Sequence, residues 1–562
     1  MGTPCRAFLI VGALIWLSGC AVGPDYQSPA VTVPKVFGKA SLAPVANESS
    51  PADFVRWWQV LRDPQLDRLI ERAIASNPDI EIALTRVQEA RLQQNVVLGA
   101  MLPTASGRAG IAAGSAGDLM RSRTGLILRA GDSSRGFRAI SRMAGFDSSW
   151  ELDLFGKLQR SLEAAVDDAE EKIELRNAVL ITVVADVARN YLEIRALQMR
   201  LEIARKDVAT VQRAADLLMT GFDRPQSNEK EENKSERAPA KPNAQATRQD
   251  QTSASNERDT TQATGGGQAR KRKSKPPESK ELDLASVKGE LAIQLAKVPE
   301  LEAGISAAEG RLAVLLGTYA ADVVPSIGGP AKLPPLPERL RPGMPVELLR
   351  RQPDIRAAER ELAAATARIG VSTADLFPSV KLTSGFGGQG TTGHTTATPL
   401  VHGPIWSVGP GISWPVLDFG RLDALIDIQE MQTHEALVGY RKSIIAAVEE
   451  VNQAIVQYRL ELQRWKALRA ALEAIGHAAA LTTERYERGD SDFRALLDAQ
   501  RRKFALEERA ATAAEAATLR YVAFYKALGG GWELYGELPP LPPVQPAVIA
   551  TVSRFMDGWQ RH

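Results

Sequence analysis

The sequence predicts a mainly α fold, duplicated within the chain, with four strands per chain and two very long helices. Three observations carry this. Asn77-Pro78-Asp79-Ile80 is followed 25 residues after its proline by Leu102-Pro103, and Gln352-Pro353-Asp354-Ile355 is followed at the same spacing by Phe377-Pro378. Trp150-x4-Phe155-Gly156-Lys157-Leu158 returns as Trp414-x4-Phe419-Gly420-Arg421-Leu422. Two separated motifs recurring in the same order mark an internal duplication. Finally, the hydrophobic period switches from helical to alternating at Pro103 and Pro378, then back again after each Phe-Gly.

Each repeat opens on a helical segment, 63–100 and 343–375. Strands follow, within about 104–154 and 378–417. In the second repeat Val380, Leu382 and Phe386 share one face, and on the returning strand Trp406, Val408, Ile412, Trp414 and Val416 are all even-numbered. Small residues (Ser407, Gly409, Gly411, Ser413) take the opposite face, which is period two with apolar side chains on one side only. In the first repeat Phe146, Trp150, Leu152 and Leu154 alternate with Asp147, Ser149, Glu151 and Asp153. Residues 107–145 alternate poorly and hold seven arginines, among them Arg108, Arg121, Arg123, Arg129, Arg135 and Arg142, so a long outer loop is expected there. Those arginines either meet lipopolysaccharide phosphates or are solvated.

Long helices come next, 157–220 and 420–488. Leu180, Val183, Val187, Tyr191, Ile194, Leu197 and Leu201 step by three or four, which is coiled-coil material. A segment of some 64 residues reaches on the order of 95 Å. Return helices are expected at 282–317 and 491–528, ending in Leu315-Leu316-Gly317 and Ala527-Leu528-Gly529. Aligning those ends exposes an insertion, 224–280. It holds 13 basic and 8 acidic residues and seven alanines as its only apolar side chains, a composition that predicts disorder. The whole chain has 69 Lys and Arg against 67 Asp and Glu, so without the insertion the balance becomes 56 − 59 = −3. The slight positive charge therefore belongs to the insertion, as a solvated loop or a contact for anionic peptidoglycan or a partner protein.

Two cysteines exclude a disulfide scaffold and a four-Cys zinc site. Residues 1–20, MGTPCRAFLIVGALIWLSGC, carry one Arg before an apolar run shorter than a membrane span, the shape of a secretory signal. Leu17-Ser18-Gly19-Cys20 resembles the lipobox of bacterial lipoproteins, which implies cleavage before Cys20 and covalent diacylglycerol and N-acyl lipid on it. A plain signal peptide with an incidental cysteine is the alternative. Export and a lipid anchor argue against a nucleic-acid partner for Arg270-Lys271-Arg272-Lys273. Strands in a bilayer must close into a barrel, and four are fewer than the eight of the smallest outer-membrane barrels. Several chains must share one; three chains give a 12-stranded barrel standing on a long α-helical barrel.

Cys20-x2-Gly23-Pro24-Asp25-Tyr26-x2-Pro29, Trp57-Trp58, Asp63-Pro64-x-Leu66, both repeat motifs, Leu496-Leu497-Asp498-Ala499-Gln500-Arg501 and Tyr525-Lys526-Ala527-Leu528-Gly529-Gly530-Gly531-Trp532 resemble the outer-membrane factors of tripartite efflux systems. The nearest branch is the lipoprotein-type channels of resistance–nodulation–division pumps, and the resemblance spans roughly 20–536. It implies a homotrimer in the outer membrane, lipid-anchored and extending into the periplasm. It further implies docking on a periplasmic adaptor and an inner-membrane transporter, with no catalytic step. A related channel for type I protein or oligosaccharide export is the alternative, and a structural periplasmic lipoprotein a third.

The resemblance places a periplasmic gate at the turn 488–494, where Asp498 matches an aperture aspartate and Arg501 a residue that keeps the aperture closed. Arg494 and Asp492 are further candidates, and an ordinary surface pair three residues apart is the bland reading of Asp498 and Arg501. Trp150, Trp406, Trp414 and Phe146 are expected at the membrane interface. The five histidines lack metal-ligand spacing, and Gly385-x-Gly387-Gly388-x-Gly390 lies in a strand pattern, so neither a metal nor a phosphate site is expected. The expected order is a signal peptide (1–19), a lipidated linker (20–62), the first repeat (63–317), a linker (318–342), the second repeat (343–536) and a tail (537–562).

Overall fold

The computed structural model describes residues 21–35, 37, 52–115, 138–222, 277–328, 333–338, 340, 344–393 and 402–535. The expected signal peptide, Cys20, nearly all of the insertion, Arg121, Arg123, Arg129, Arg135 and the tail lie outside the described residues.

Each expected opening helix is two helices, broken at the repeat motif. The first pair is α1 (Pro64–Ser76) and α2 (Pro78–Ala100). A proline pushes the residue before it out of the helical region, and Asn77 is extended at ψ 126°. The Asn77 side chain then accepts from the Ile80 amide at 3.0 Å and restarts the helix. After two strands come α3 (Lys157–Phe222) and α4 (Pro277–Leu315). The latter begins three residues before the expected end of the insertion. Within 318–342, expected as linker, lies the short α5 (Ala320–Ile327). The second repeat has α6 (Pro345–Arg351), α7 (Pro353–Ala374), α8 (Arg421–Glu487) and α9 (Phe493–Ala527). Gln352, extended at ψ 114°, makes the matching break. At 66 and 67 residues, α3 and α8 are each about 100 Å long.

Four antiparallel strands, β1 (Thr104–Ser115), β2 (Arg138–Leu152), β3 (Ser379–Gly393) and β4 (His402–Ser413), form one open sheet in chain order. Weak alternation in the first hairpin does not shorten it: its strands have 12 and 15 residues, those of the second 15 and 12. Small residues in β1 (Ala105, Gly107, Ala109) hide the alternation from hydropathy without weakening the backbone ladder. Register puts Gly107, Phe146, Phe386 and Trp406 in one row, so the even-numbered face of β2, β3 and β4 is the apolar one.

Two helical layers continue from the sheet. Next to the strands the neighbours run α2, α3, α7, α8; farther away they run α4, α3, α9, α8. Between the two levels lies the main core. Trp57 stacks on Tyr525 (centroids 5.4 Å, 8° between planes), and Tyr521 meets Trp57 edge-on. The segment expected as an N-terminal linker thus contributes buried Phe54, Trp57, Trp58 and Leu61 to the core. Gly530 is required there, since a Cβ would lie 2.5 Å from the Phe54 carbonyl oxygen.

Candidate functional site: the two ends of the tube

At the sheet end the duplication is repeated in hydrogen bonds. Trp150 donates from Nε1 to the Met101 carbonyl at 3.0 Å, and Trp414 donates to the Leu376 carbonyl at 3.0 Å. Each acceptor lies two residues before a motif proline, Pro103 or Pro378. An indole with one polar edge and an apolar body suits a membrane–water boundary. Phe146 and Trp406 lie four to eight residues farther along the strands, in the row of Phe386, with rings 70% and 73% exposed in the single chain.

Residues 21–35 start at this same level. Val22 donates its amide to the Phe155 carbonyl at 3.1 Å. The Arg160 guanidinium, nearly buried, reaches the carbonyl oxygens of Val22 and Gly23 and the Asp25 carboxylate (2.6 Å). Farther along, Tyr26 and Ser28 both donate to Glu359 of α7. Gly156 has φ +74°, and a Cβ there would sit 2.5 Å from Ala21 Cα; the equivalent Gly420 (φ +81°) has no such neighbour. The segment therefore runs from the sheet–helix junction down α7.

At the far end, α8 turns into α9 through Arg488–Asp492. Gly489 takes φ +83°, and the Asp492 carboxylate caps α9 by accepting from the Ala495 amide at 2.8 Å. Val211, Ala215, Val287, Phe493, Leu496, Leu497 and Phe504 form a small core under this turn. On its surface Arg494 meets Asp283 at 3.1 Å and Arg501 meets Glu290 at 2.7 Å. Both acids are on α4, seven residues apart like the arginines, and their side chains are only 5% and 7% exposed. Gln294 adds a 2.8 Å hydrogen bond to Glu290. The next heptad inverts the charges: Lys297 stands on α4 and Glu508 on α9, with Arg200 of α3 bonded to Glu508 at 2.5 Å.

Arg501 therefore pairs across to α4 and not with Asp498. Asp498 is exposed, with no hydrogen bond or ion pair found among the described residues. Asp283 and Glu290 were missed in the sequence. Their signal was a matched heptad, 283/290/297 on one return helix against 494/501/508 on the other.

One rung deeper, Asp207 of α3 is buried against Glu507. Burial, then the hydrogen-bonded Glu507 carboxylate, pushes Asp207 up to about 7, opposed by Lys503 and Lys297. Among the described residues no group of His, Cys, Asp or Glu could hold a metal ion, and no helix is long and apolar enough to cross a membrane.

The sequence profile of the family described as "Outer membrane efflux protein" matches residues 69–266 and 344–530. Nodulation protein T of Rhizobium leguminosarum bv. trifolii is 26% identical over 92% of this chain and 95% of its own length. Cation efflux system protein CusC of Escherichia coli is 28% identical over 94% of this chain and all of its own. The solved structure of the outer-membrane channel OprN superposes with a TM-score of 0.71 at 29% identity, covering 91% of this chain and 100% of that one.

Proposed function

The chain belongs to the outer membrane efflux protein family, and from that premise we propose that it is the lipid-anchored exit duct of a tripartite pump, held shut at its periplasmic end by the α4–α9 ion-pair ladder. Members of the family are outer-membrane channels that act as trimers with pump partners. The duct reading here rests on one observation above all. An open sheet with one apolar face cannot stand in a bilayer with unpaired edges, and β1 and β4 are both edges. Pairing β4 of one copy with β1 of the next, three times, closes twelve strands. The same closure covers the outer helices: α8 exposes Ile428, Met431 and Val438 on one flank, and α2 exposes Leu92 and Val96 on the other.

The gate consists of Asp498 and Arg501, with Arg494 and Asp492 beside them. Threefold symmetry sets three Asp498 carboxylates around one axis, a ring that attracts cations. Arg501 and Arg494 hold α9 against α4, and Asp492 fixes where α9 begins. Opening moves α8 and α9 outward, which the two ion pairs oppose. The adaptor and a resistance–nodulation–division transporter dock at this end and supply the differential contacts that opening needs.

Cys20 carries the lipid. Ala21 stands beside Gly156 at the sheet–helix junction, level with Trp150 and Trp414, so acyl chains on the preceding residue enter the inner leaflet without slack. Trp150, Trp414, Trp406 and Phe146 face that lipid. Intact-mass measurement of the membrane-extracted protein and of Cys20→Ser tests the anchor; an unmodified wild-type Cys20 would refute it.

The cargo is small molecules: drugs, other toxic compounds or metal ions. A deletion strain hypersensitive to antibiotics, dyes or divalent metals supports the pump reading. Normal tolerance together with loss of a secreted protein or oligosaccharide would favour the secretion channel instead.

A further inference from the structure

Strand parity sorts the charges of the sheet. Arg142 is the one charge on the apolar face among the described side chains. The opposite face, which a closed barrel turns inward, carries Arg108, Asp147, Glu151 and Lys381. These four are paired. Arg108 Nε lies 3.1 Å from Asp147 Oδ2, and Lys381 Nζ lies 3.1 Å from Glu151 Oε2. Glu151 and Lys381 are direct cross-strand partners, whereas Arg108 reaches diagonally to Asp147, whose partners are Ser106 and Gly385. A Cβ at Gly385 would come within 3.3 Å of both Asp147 Oδ1 and Ser407 Oγ, so glycine leaves room for the carboxylate. Asp147 and Glu151 are four residues apart, about 13 Å along the strand.

In a barrel of three copies each pair becomes a ring of three cations and three anions, one ring above the other. We propose that these two rings keep the passage through the outer membrane charge-balanced, so that it takes anionic and cationic small molecules alike, with Arg108 and Lys381 as the residues that prevent cation selectivity. A ring of unpaired carboxylates in a pore favours cations and a ring of unpaired ammonium groups favours anions. Each pair is more than half exposed on its cationic side, so it contributes little to stability. Its effect is on the field in the lumen. The inference rests on the trimeric duct described above.

Reversal potentials across planar bilayers under a KCl gradient test it, at low salt where the screening length is about 30 Å and not about 3 Å. Lys381→Gln leaves Glu151 alone and shifts the reversal potential toward cations. Arg108→Gln in the other ring shifts it the same way, which provides a second reading if one variant fails to fold. Glu151→Gln shifts it toward anions, and Lys381→Gln with Glu151→Gln returns it to the parent value. Arg142→Gln, on the outer face, leaves it unchanged. Conducting variants whose reversal potentials all equal the parent's overturn the charge rings and leave the duct intact. Absence of conductance in every protein, even with Arg494→Ala/Arg501→Ala added to release the gate, overturns the duct and the rings with it.

Discussion

Arg501 on α9 and Glu290 on α4 meet at 2.7 Å, and one heptad earlier Arg494 and Asp283 repeat the contact at 3.1 Å. Because the two helices hold the same spacing, a heptad slip in one direction sets Arg494 against Glu290 and Arg501 against Lys297, a like-charge pair. The ladder therefore fixes register as well as contact. Glu290 is almost buried, so losing Arg501 leaves a carboxylate poorly compensated. Arg501→Ala is expected to lower stability by about 1–3 kcal/mol, between an exposed and a buried pair. Exchanging the charges (Arg501→Glu with Glu290→Arg) should recover part of that loss. Thermal unfolding of the single and double variants measures it; no recovery means the pair is not coupled.

Asp207 makes stability depend on pH. Its folded value, about 7, lies above the ordinary carboxylate range because of burial and Glu507. The folded state therefore binds a proton more tightly than the unfolded chain. This contribution is fully present below about pH 4 and is lost as pH rises through about 7. Asp207→Asn should be more stable than wild type at pH 8, with the difference shrinking toward pH 5. A difference that does not vary with pH would contradict a proton on Asp207 that is lost near pH 7.

Gly156 and Gly420 separate backbone cost from contact. Both have positive φ, so alanine strains either backbone, by roughly 1 kcal/mol. Only at Gly156 does the added Cβ strike Ala21. Gly156→Ala should release residues 21–35 to added protease, while Gly420→Ala should not. Equal protection in both variants would mean the segment is not seated at this junction.

Trp150 and Trp414 offer a symmetric test. Each →Phe change removes one hydrogen bond from indole to carbonyl and leaves a smaller aromatic ring in its place. A loss of about 0.5–1.5 kcal/mol per site is expected, similar at the two sites. Unequal losses in refolding titrations would argue that the two repeats seat their strands differently.

Most of this architecture was legible because the chain states it twice. The paired Pro-Asp-Ile and Phe-Gly motifs located the duplication and both sheet–helix junctions within a few residues. The helix breaks at Asn77 and Gln352 were not legible, since each opening segment reads as one helix. The first hairpin was hard to read because Ala105, Gly107 and Ala109 supply a lipid-facing row with almost no hydropathy contrast. Asp492, Asp498 and Arg501 stood out near the turn, but Asp283 and Glu290 did not. They lie more than 200 residues away, and only the packing of α4 and α9 around α3 brings them together. Sequence spacing alone paired Arg501 with Asp498, three residues off. A long guanidinium instead reached the neighbouring helix, where a buried carboxylate needed a cation more than an exposed one did.

Single-channel conductance in planar bilayers tests the gate most directly, comparing wild type with Arg494→Ala/Arg501→Ala. If the α4–α9 ladder holds the periplasmic end shut, wild type shows a small conductance and the double variant a much larger one. Equal conductance in the two proteins would contradict a gate built on these ion pairs.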